Sequence, residues 1–169
     1  FIESAKYDKP NYWDDKRYNE PNQPVVGVTW DDAIAYCKWL TEQTKDEFVY
    51  RLPTEEEWEW ASGRGAREYP WGNEKPDKKR ANFGDSVGTT TPVGSYPAGA
   101  TPDGLMDMAG NVWEWTATTH EEGEQWKVLR GGSFDDASVL LRCSVRFRDR
   151  RSDDWNYDFG FRVACSPQW

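Results

Sequence analysis

The sequence predicts a single α+β domain. Two helical patterns lie in the first part of the 169-residue chain, and strand patterns follow in the last part, beyond a long loop. Aromatic residues make up 15% of the chain and eleven of them are Trp, so we expect a largely aromatic core. This composition argues against disorder, because disordered chains are poor in large apolar side chains.

Charge and cysteine content exclude several classes of function. The net charge is −9, whereas nucleic-acid binding relies on clustered Lys and Arg, so we expect no nucleic-acid partner. No apolar run approaches the ~18 residues of a membrane-spanning helix. The three cysteines form no CxxC pair, which argues against a disulfide framework or a structural zinc site and leaves one bridge open. No basic-then-apolar leader is seen, and the compartment is left open, with surface display as one alternative.

The first helix is predicted near residues 30–43. Thr29 is a typical N-cap, and Asp32 follows three residues later, as in a capping box. Apolar residues then recur at helical spacing, at Ala33, Ile34, Cys37 and Leu40. Before this helix, only residues 24–28 resemble a strand.

The second helix is predicted to begin after Thr54 and to end at Gly63. Glu57 completes a capping box with Thr54, while Trp58 and Ala61 supply the buried face. Catalysis is one interpretation of the three glutamates that open this helix. We favour a structural role, because acids in a first turn are stabilised by the helix dipole.

A long loop at 63–104 separates the helices from the strands. It is rich in Gly and Pro and contains one strand-like stretch at 91–95. Ordered loops of this length are usually functional or held by a ligand or ion. Strand patterns follow at 112–116, 128–133, 145–151 and 160–164.

Five short motifs occur in order along the chain: RLPTE at 51–55, EWEWA at 57–61, GNVWEW at 110–115, RGGS at 130–133 and GFRV at 160–163. Together they resemble the formylglycine-generating-enzyme (sulfatase-modifying-factor) family, a branch of the C-type lectin fold. The resemblance covers nearly the whole chain and implies this fold, with two helices and an irregular, loop-rich antiparallel sheet. The chain departs from the family at its start, where the usual opening strand-and-glycine segment is missing or shortened.

The resemblance also implies where the catalytic groups of the family's enzymes would lie. The oxidising members bind copper through two cysteines shortly after the RGGS motif, and an ungapped count places Asp136 and Leu141 there. A carboxylate and an alkyl group cannot replace a soft thiolate pair. A related branch binds iron through three histidines, but this sequence contains only His120, which we expect in a solvated loop. We therefore predict no enzymatic activity and no required cofactor, with a formylglycine-generating oxidoreductase as the alternative.

The stretch at 104–115 resembles a calcium loop of the family. The resemblance implies ligands from the side chains of Asp107 and Glu114 and from the carbonyls of Gly110 and Val112. Hard oxygen ligands in a tight loop suit calcium. The alternative is an Asp/Gly/Asn turn whose side chains bond the backbone. Calcium is therefore an expectation of the resemblance and the only metal that we predict.

Residues 134–158 are typical of a binding surface. Arginines at 146, 148 and 150 alternate with Val145, Phe147 and Asp149, and the charge at 149 argues against a purely apolar inner face. A polar–aromatic stretch follows at 152–158. Trp and Tyr supply rigid contact area, while Ser, Asn and Asp supply adaptable hydrogen bonds, as in antibody paratopes. The predicted ligand-binding residues are Phe134, Asp135, Asp136, Val145, Phe147, Asp149, Ser152, Asp153, Asp154, Trp155, Asn156, Tyr157 and Asp158.

Two spatial expectations follow from this pattern. At least one of the three arginines should be buried against a carboxylate or carbonyl groups, because an unpaired buried guanidinium is costly. The second expectation is one continuous exposed patch formed by Phe134, Asp136, Phe147, Asp149, Trp155 and Tyr157.

The same segment resembles the variable region of diversity-generating-retroelement proteins, which use this fold. In those proteins a C-terminal cassette begins near RGGS and closes with GFRV, which delimits residues 130–163 here. The resemblance implies a non-catalytic protein that presents a diversified surface to a protein, peptide or glycan ligand. The alternative is a degenerate sensor or scaffold module of the formylglycine-generating family.

Overall fold

The computed structural model describes residues 1–63, 65–119 and 125–168, with every side chain in those ranges except that of Asp149. The helices are α1 (Ile2–Ala5), α2 (Trp30–Thr44) and α3 (Glu55–Ser62), with short 3-10 turns at Pro97–Gly99 and Ser138–Leu141. The strands are β1 (Phe48–Arg51), β2 (Trp113–Thr119), β3 (Trp126–Arg130), β4 (Arg146–Arg151), β5 (Phe159–Phe161) and β6 (Ala164–Pro167). Within the described ranges, no helix combines the length and the apolar character needed to cross a membrane.

Both long helices begin at the predicted capping boxes. The Thr29 hydroxyl accepts from the Asp32 backbone N–H, and the Asp32 carboxylate accepts from the Thr29 N–H. Thr54 and Glu57 form the same reciprocal pair at the start of α3. Helix α3 ends at Gly63, whose φ of 142° is in the region that favours glycine. The two long helices predicted from local sequence are confirmed.

The strands form one four-stranded sheet and one two-stranded sheet. The larger sheet has the order β4-β3-β2-β5, and the smaller pairs β1 with β6 antiparallel. Strand β2 pairs β3 antiparallel but pairs β5 in parallel, with Glu114 opposite Gly160. The larger sheet is therefore mixed, although the sequence predicted an antiparallel one. The parallel pair arises because β5 returns along β2 after the long excursion through β3 and β4.

Two strand predictions are wrong. Residues 24–28 are irregular, because Gly27 turns the chain at a φ of 70° and bonds to loop partners. Its N–H donates to the Asn156 carbonyl, and its own carbonyl accepts from the Asn11 N–H. Residues 91–95 are irregular too, since the Thr91 N–H donates to the Asn111 side chain rather than to a strand. The four-residue elements α1, β1 and β6 are too short to show a period and were not predicted.

The core lies around β2, which is buried on both faces. Trp113 and Trp115 are 5% and 0% exposed, and they pack with Leu129, Phe159 and residues of α2. The indole N–H of Trp115 donates to the Val28 carbonyl at 3.0 Å. An aromatic core was expected, and β2 supplies its centre.

An ion-pair network behind the RGGS motif fixes the start of the candidate site. Arg130 is fully buried and donates to the Cys143 and Val145 carbonyls at 2.6 and 2.8 Å. Helix α3 contributes Glu55 and Glu59, whose carboxylates lie 3.5 and 3.4 Å from the Arg130 guanidinium. Beyond Arg130 the two glycines adopt φ values of 100° and 75°, which turn the chain out towards residue 134.

Candidate functional site

The segment 152–158 is held to the N-terminal part of the chain by backbone hydrogen bonds. The Ser152 carbonyl accepts from the N–H groups of Trp30 and Asp31 at the start of α2. The Asn156 carbonyl accepts from the Gly27 N–H at 3.0 Å. Because the backbone is fixed at these two points, the side chains between and after them have defined positions. This segment is an ordered platform rather than a free loop.

Five aromatic rings meet beside this segment, and we call them the aromatic cluster: Tyr12, Tyr18, Phe134, Trp155 and Tyr157. The Tyr12 ring lies 5.6, 5.8 and 6.5 Å from the rings of Tyr18, Trp155 and Tyr157. Phe134 lies 6.4 Å from Tyr18 and 5.9 Å from Tyr157. Edge-to-face and tilted pairs at these distances stabilise one another. The aromatic cluster has a buried base at Phe134, which is 3% exposed, and a solvent-exposed rim at Trp155, which is 46% exposed.

Carboxylates surround the aromatic cluster. The exposed Asp135 accepts a 2.7 Å hydrogen bond from the Tyr157 hydroxyl, which raises the pKa of that tyrosine because the phenol donates to a carboxylate. Asp136 is held by the turn, since one of its oxygens accepts from both the N–H and the hydroxyl of Ser133 at 2.8 Å. Asp135 is therefore the carboxylate that faces solvent beside Tyr157.

Asp158 is a buried acid at the base of this region. It is 7% exposed, and its Oδ1 has no hydrogen-bond partner among the described residues. Burial raises the pKa of Asp158 to about 6, a hydrogen bond with Ser133 opposes the rise, and the charges of Asp136 and Asp135 add to it. The backbone holds Asp158 in place, because its carbonyl accepts from the Trp113 N–H at 2.8 Å. The site thus contains a fixed carboxylate with an unmet hydrogen-bonding capacity.

A small cavity of about 260 Å³ opens between the cluster and the acids. Its walls are Tyr12, Arg17, Tyr18, Asp85, Gly88, Phe134, Asp135 and Tyr157. A larger apolar cavity of about 740 Å³ lies between α1, α2 and β5, but none of the predicted site residues lines it. The small cavity is the one that the predicted surface residues form.

Three predicted site residues contribute less exposed surface than expected. Phe134 is buried beneath Tyr157 and supports that ring instead of presenting its own surface. Val145 and Phe147 pack against the main core, where the Phe147 ring lies 5.5 Å from that of Trp113. The expected single patch is therefore wrong, because Phe134 is buried and the partly buried Phe147 packs against the core around β2, apart from the aromatic cluster. The side chain of Asp149 lies outside the described residues.

The predicted carboxylate contacts are found at Arg146, but the predicted burial is not, because this arginine is exposed. Its guanidinium contacts Glu55 at 2.6 Å and Glu59 at 2.8 Å, and 39% of the side chain remains exposed. Arg150 instead lies over the rings of Phe147 and Phe159, at 4.7 and 5.5 Å. Strict alternation along β4 fails because the register with β3 shifts between Lys127 and Leu129.

Sequence reasoning missed the N-terminal contribution to the site. Tyr12, Arg17 and Tyr18 lie more than a hundred residues before the segment that they contact. The available signal was compositional, since the first 28 residues are unusually rich in Tyr and Asn. The predicted structural role of Glu55 in the first turn of α3 omitted its long-range contact, since the buried Glu55 also pairs with Arg146.

In the predicted calcium loop, an arginine side chain contacts the carboxylate of Glu114. Both oxygens of Glu114 lie 2.6 Å from nitrogens of Arg162, and the Trp58 indole N–H donates to Oε2 at 2.7 Å. Arg162 also donates to the Asp107 carbonyl at 3.3 Å. Glu114 does not fit the role of a calcium ligand, because a cation beside it would face the guanidinium at close range.

Two of the other predicted calcium ligands in that loop already accept hydrogen bonds. The half-buried carboxylate of Asp107 accepts from the Gly94 N–H, and burial raises its pKa. The Gly110 carbonyl accepts from the Val112 N–H at 3.0 Å. Among the residues that the structure describes, no group of three or more acidic, His or Cys side chains could hold a metal ion. Calcium at Asp107, Gly110 and Val112 stays a prediction.

The positions of the family's catalytic groups carry no thiol in this chain. Asp136 is bound by the Ser133 turn, and Leu141 is 1% exposed. The three cysteines are free; Cys37 and Cys143 are buried and Cys165 is exposed. No bridge therefore links them. His120 lies outside the described residues, so the expectation of a solvated loop stays a prediction.

The mixed sheet, the two capped helices and the long loops define a domain of the C-type lectin fold of the formylglycine-generating type. The model of the sulfatase-modifying factor enzyme 1-like domain matches residues 2–167, and the chain belongs to this family.

Relatives of this chain include an inactive protein, enzymes and a variable protein. This chain is 39% identical over 160 residues to the inactive Cα-formylglycine-generating enzyme 2 of Mus musculus. The match covers 85% of this chain and 49% of the mouse protein. The chain is 37% identical to the hercynine oxygenase of Mycobacterium tuberculosis, covering 74% and 33% of the two chains. The solved structure of Treponema denticola variable protein 1 is 25% identical, has a TM-score of 0.76, and is matched over 95% of this chain and 76% of that one. The chain spans half or less of these two curated relatives.

Proposed function

We propose that this domain is a non-catalytic ligand-binding module whose contact surface is the aromatic cluster together with Asp135 and the acids of 152–158. The observation that carries the proposal is the convergence of Tyr12, Trp155 and Tyr157 at one solvent-facing rim. Partly exposed Trp and Tyr side chains on a rigid backbone are typical anchors of binding surfaces. The backbone bonds of Ser152 and Asn156 supply the rigidity.

Two further features support a binding role over catalysis. A thiolate pair cannot form at Asp136 and Leu141, and a three-histidine site cannot form from a chain with one histidine. The mouse relative is an inactive family member, and the Treponema relative is a variable protein. We extend the latter resemblance to this chain and propose that residues 130–163 are a diversified cassette whose ligand is a protein, peptide or glycan.

The diversified cassette is tested in the genomic neighbourhood of the gene. We expect a reverse-transcriptase gene and a near-copy of the segment that encodes 130–163, differing from it at adenines. Without such a copy, the binding module would be an undiversified sensor or scaffold of the same family.

Ligand binding is tested with random dodecapeptide and glycan arrays. The full chain is compared with the W155A/Y157A variant, and a set of bound probes that the variant loses is expected. The S138A variant is a matched control, because Ser138 is exposed outside the cluster. If the double variant binds the same probes as the unmodified chain, the contact surface lies elsewhere.

The remaining enzymatic alternative is tested directly. Copper titration with a cysteine-containing sulfatase peptide should give neither tight metal binding nor aldehyde product. Aldehyde formation would contradict the non-catalytic proposal.

A further inference from the structure

We propose that the cavity between the aromatic cluster and Asp135 is a cation pocket that takes a single Lys or Arg side chain of a protein ligand. The inference rests on the proposed function, because it uses the same surface, and it adds the chemical class of the anchoring group. The cation pocket is defined by the walls Tyr12, Tyr18, Phe134 and Tyr157 with the carboxylates of Asp85 and Asp135.

The size of the cation pocket favours one side chain. Its volume of about 260 Å³ lies below the ~300–1,000 Å³ of pockets that enclose drug-sized ligands. Four aromatic rings form its walls, and an ammonium or guanidinium group is attracted to the face of such rings within about 6 Å. Carboxylates at the same opening attract a cationic side chain but give no such advantage to a neutral apolar one.

A guanidinium of the protein already uses one of these rings. The Arg17 guanidinium carbon lies 5.1 Å from the centre of the Tyr18 ring. Arg17 is itself paired with Asp15 at 2.7 Å, and 63% of its side chain is exposed, so it lies at the rim. The Tyr18 ring therefore accepts a cation in this fold, and Arg17 is a rim residue that competes with an incoming one.

Asp158 is a second observation that favours a cation in this region. It is 7% exposed, its Oδ1 has no partner among the described residues, and it directly follows the wall residue Tyr157 in the chain. Asp158 is not among the residues that line the cation pocket, so its carboxylate acts on the pocket through its charge alone. A bound cation would compensate that charge without a direct contact.

The first test uses single-residue probes and nuclear magnetic resonance of the isotope-labelled full chain. Nα-acetyl-lysine amide and Nα-acetyl-arginine amide should shift the amide signals of Tyr12, Tyr18, Asp135 and Tyr157, with dissociation constants in the millimolar range. The neutral isostere Nα-acetyl-norleucine amide should not. Equal binding of the norleucine probe would overturn the proposal, because the pocket would then be merely apolar. Tighter binding of spermidine than of a lysine-containing tetrapeptide would also overturn it, in favour of a free amine.

Charge variants separate the pocket from general electrostatics. Asp135→Asn should weaken binding of the basic probes about two- to fivefold, as expected for loss of a partly exposed charge partner. Glu68→Gln is the matched control, since Glu68 is an exposed acid outside the contact surface that pairs with Arg142. Arg17→Gln should strengthen binding, because it removes the competing cation. Equal effects of the Asp135 and Glu68 variants would contradict the proposal.

The pH dependence is a further readout. Protonation of Asp158 should weaken binding of the basic probes as the pH falls through about 6, and Asp158→Asn should remove that dependence. The groups that face Asp158 are Asp135, Asp136, Ser133, Tyr18 and Tyr157. Failure of the basic probes while the array still shows binding that requires Trp155 and Tyr157 would overturn the cation pocket alone. Array binding that is unchanged in the W155A/Y157A variant would instead overturn the proposed function.

Discussion

Two buried carboxylates, one in β2 and one immediately before the neighbouring strand β5, have opposite surroundings. Glu114 in β2 is 4% exposed, and its two oxygens receive donors from Arg162 and Trp58. Asp158, immediately before β5, is 7% exposed, and its Oδ1 has no partner among the described residues. Most buried polar groups in proteins are paired, so an exception needs an explanation. The comparison separates a scaffold acid that is paired with a cation from a site acid that keeps one buried oxygen without a partner.

The difference follows from which motif residues surround each acid. The GNVWEW, EWEWA and GFRV motifs converge on Glu114, each supplying one member of the Glu114–Trp58–Arg162 group. Asp158 instead lies near Asp135 and Asp136, whose charges repel it, and Ser133 is the hydrogen-bonding side chain beside it. The motifs that identify the family build the scaffold, and the residues between them build the surface.

The largest loss of stability is expected when the ion pair between Glu114 and Arg162 is broken. Arg162→Ala would leave Glu114 buried without its cation, and the free energy of unfolding should fall by about 3–5 kcal/mol. Urea denaturation monitored by tryptophan fluorescence measures this change. Arg151→Ala is the control, because its pair with Asp153 is exposed and should contribute less than about 1 kcal/mol. Similar losses in the two variants would show that the Glu114 pair is no more critical than a surface pair.

A second test of the scaffold uses glycines. At Gly110 a Cβ would lie 2.3 Å from the Asn82 carbonyl oxygen, and φ is 77°. Gly110→Ala should therefore cost about 2–4 kcal/mol, combining about 1 kcal/mol of backbone strain with about 1–3 kcal/mol of overpacking. Gly104 has a similar φ of 86° and open space around it, so Gly104→Ala isolates the backbone part. Thermal unfolding of both variants checks the difference, and equal melting temperatures would contradict it.

Local patterns predicted the scaffold better than the site. The capping pairs Thr29–Asp32 and Thr54–Glu57 each act over three residues, which is why both long helices could be placed from sequence. The pairing of Glu55 with Arg146 spans 91 positions of the chain, and no local signal reports it. A strand register that shifts beside Lys127 likewise changes which residues of β4 face the core.

The site was predicted where composition alone was informative. Trp155 and Tyr157 were singled out by a polar–aromatic stretch, and the structure places them at the rim of the aromatic cluster. Phe134 was misplaced because its position after the glycine turn depends on the direction in which that turn points the chain. Tyr12 and Tyr18 were missed since only the tertiary fold brings them to this surface.

The ionised Asp158 carboxylate should lower the free energy of unfolding, whereas the Glu114 carboxylate should raise it. The pKa of Asp158 is about 6 in the folded protein, against an ordinary value of 3.8. The folded state therefore binds the proton more tightly, and stability should fall as the pH rises from about 4 to about 6. Asp158→Asn should stabilise the protein by about 2–3 kcal/mol at pH 7 and change little at pH 3.5.

The control for that variant is Glu114→Gln, which should destabilise at pH 7 because it leaves Arg162 without its anion. Urea denaturation at the two pH values compares both substitutions. Destabilisation by Asp158→Asn at pH 7 would mean that the carboxylate has a favourable partner, and the contrast between scaffold and site would be lost.

The smallest effect on stability is expected at the rim of the site. A Trp→Ala substitution can be made both there and in the core, so the two regions can be compared directly. Trp155 is 46% exposed and contacts Tyr12, whereas Trp115 is fully buried and donates to the Val28 carbonyl. Trp115→Ala should cost about 3–5 kcal/mol through lost packing, but Trp155→Ala should cost less than about 1 kcal/mol. Differential scanning calorimetry compares the two. Because a binding anchor must be free to meet its ligand, a rim tryptophan adds little to folding, and a large loss at Trp155 would place it in the core and out of the contact surface.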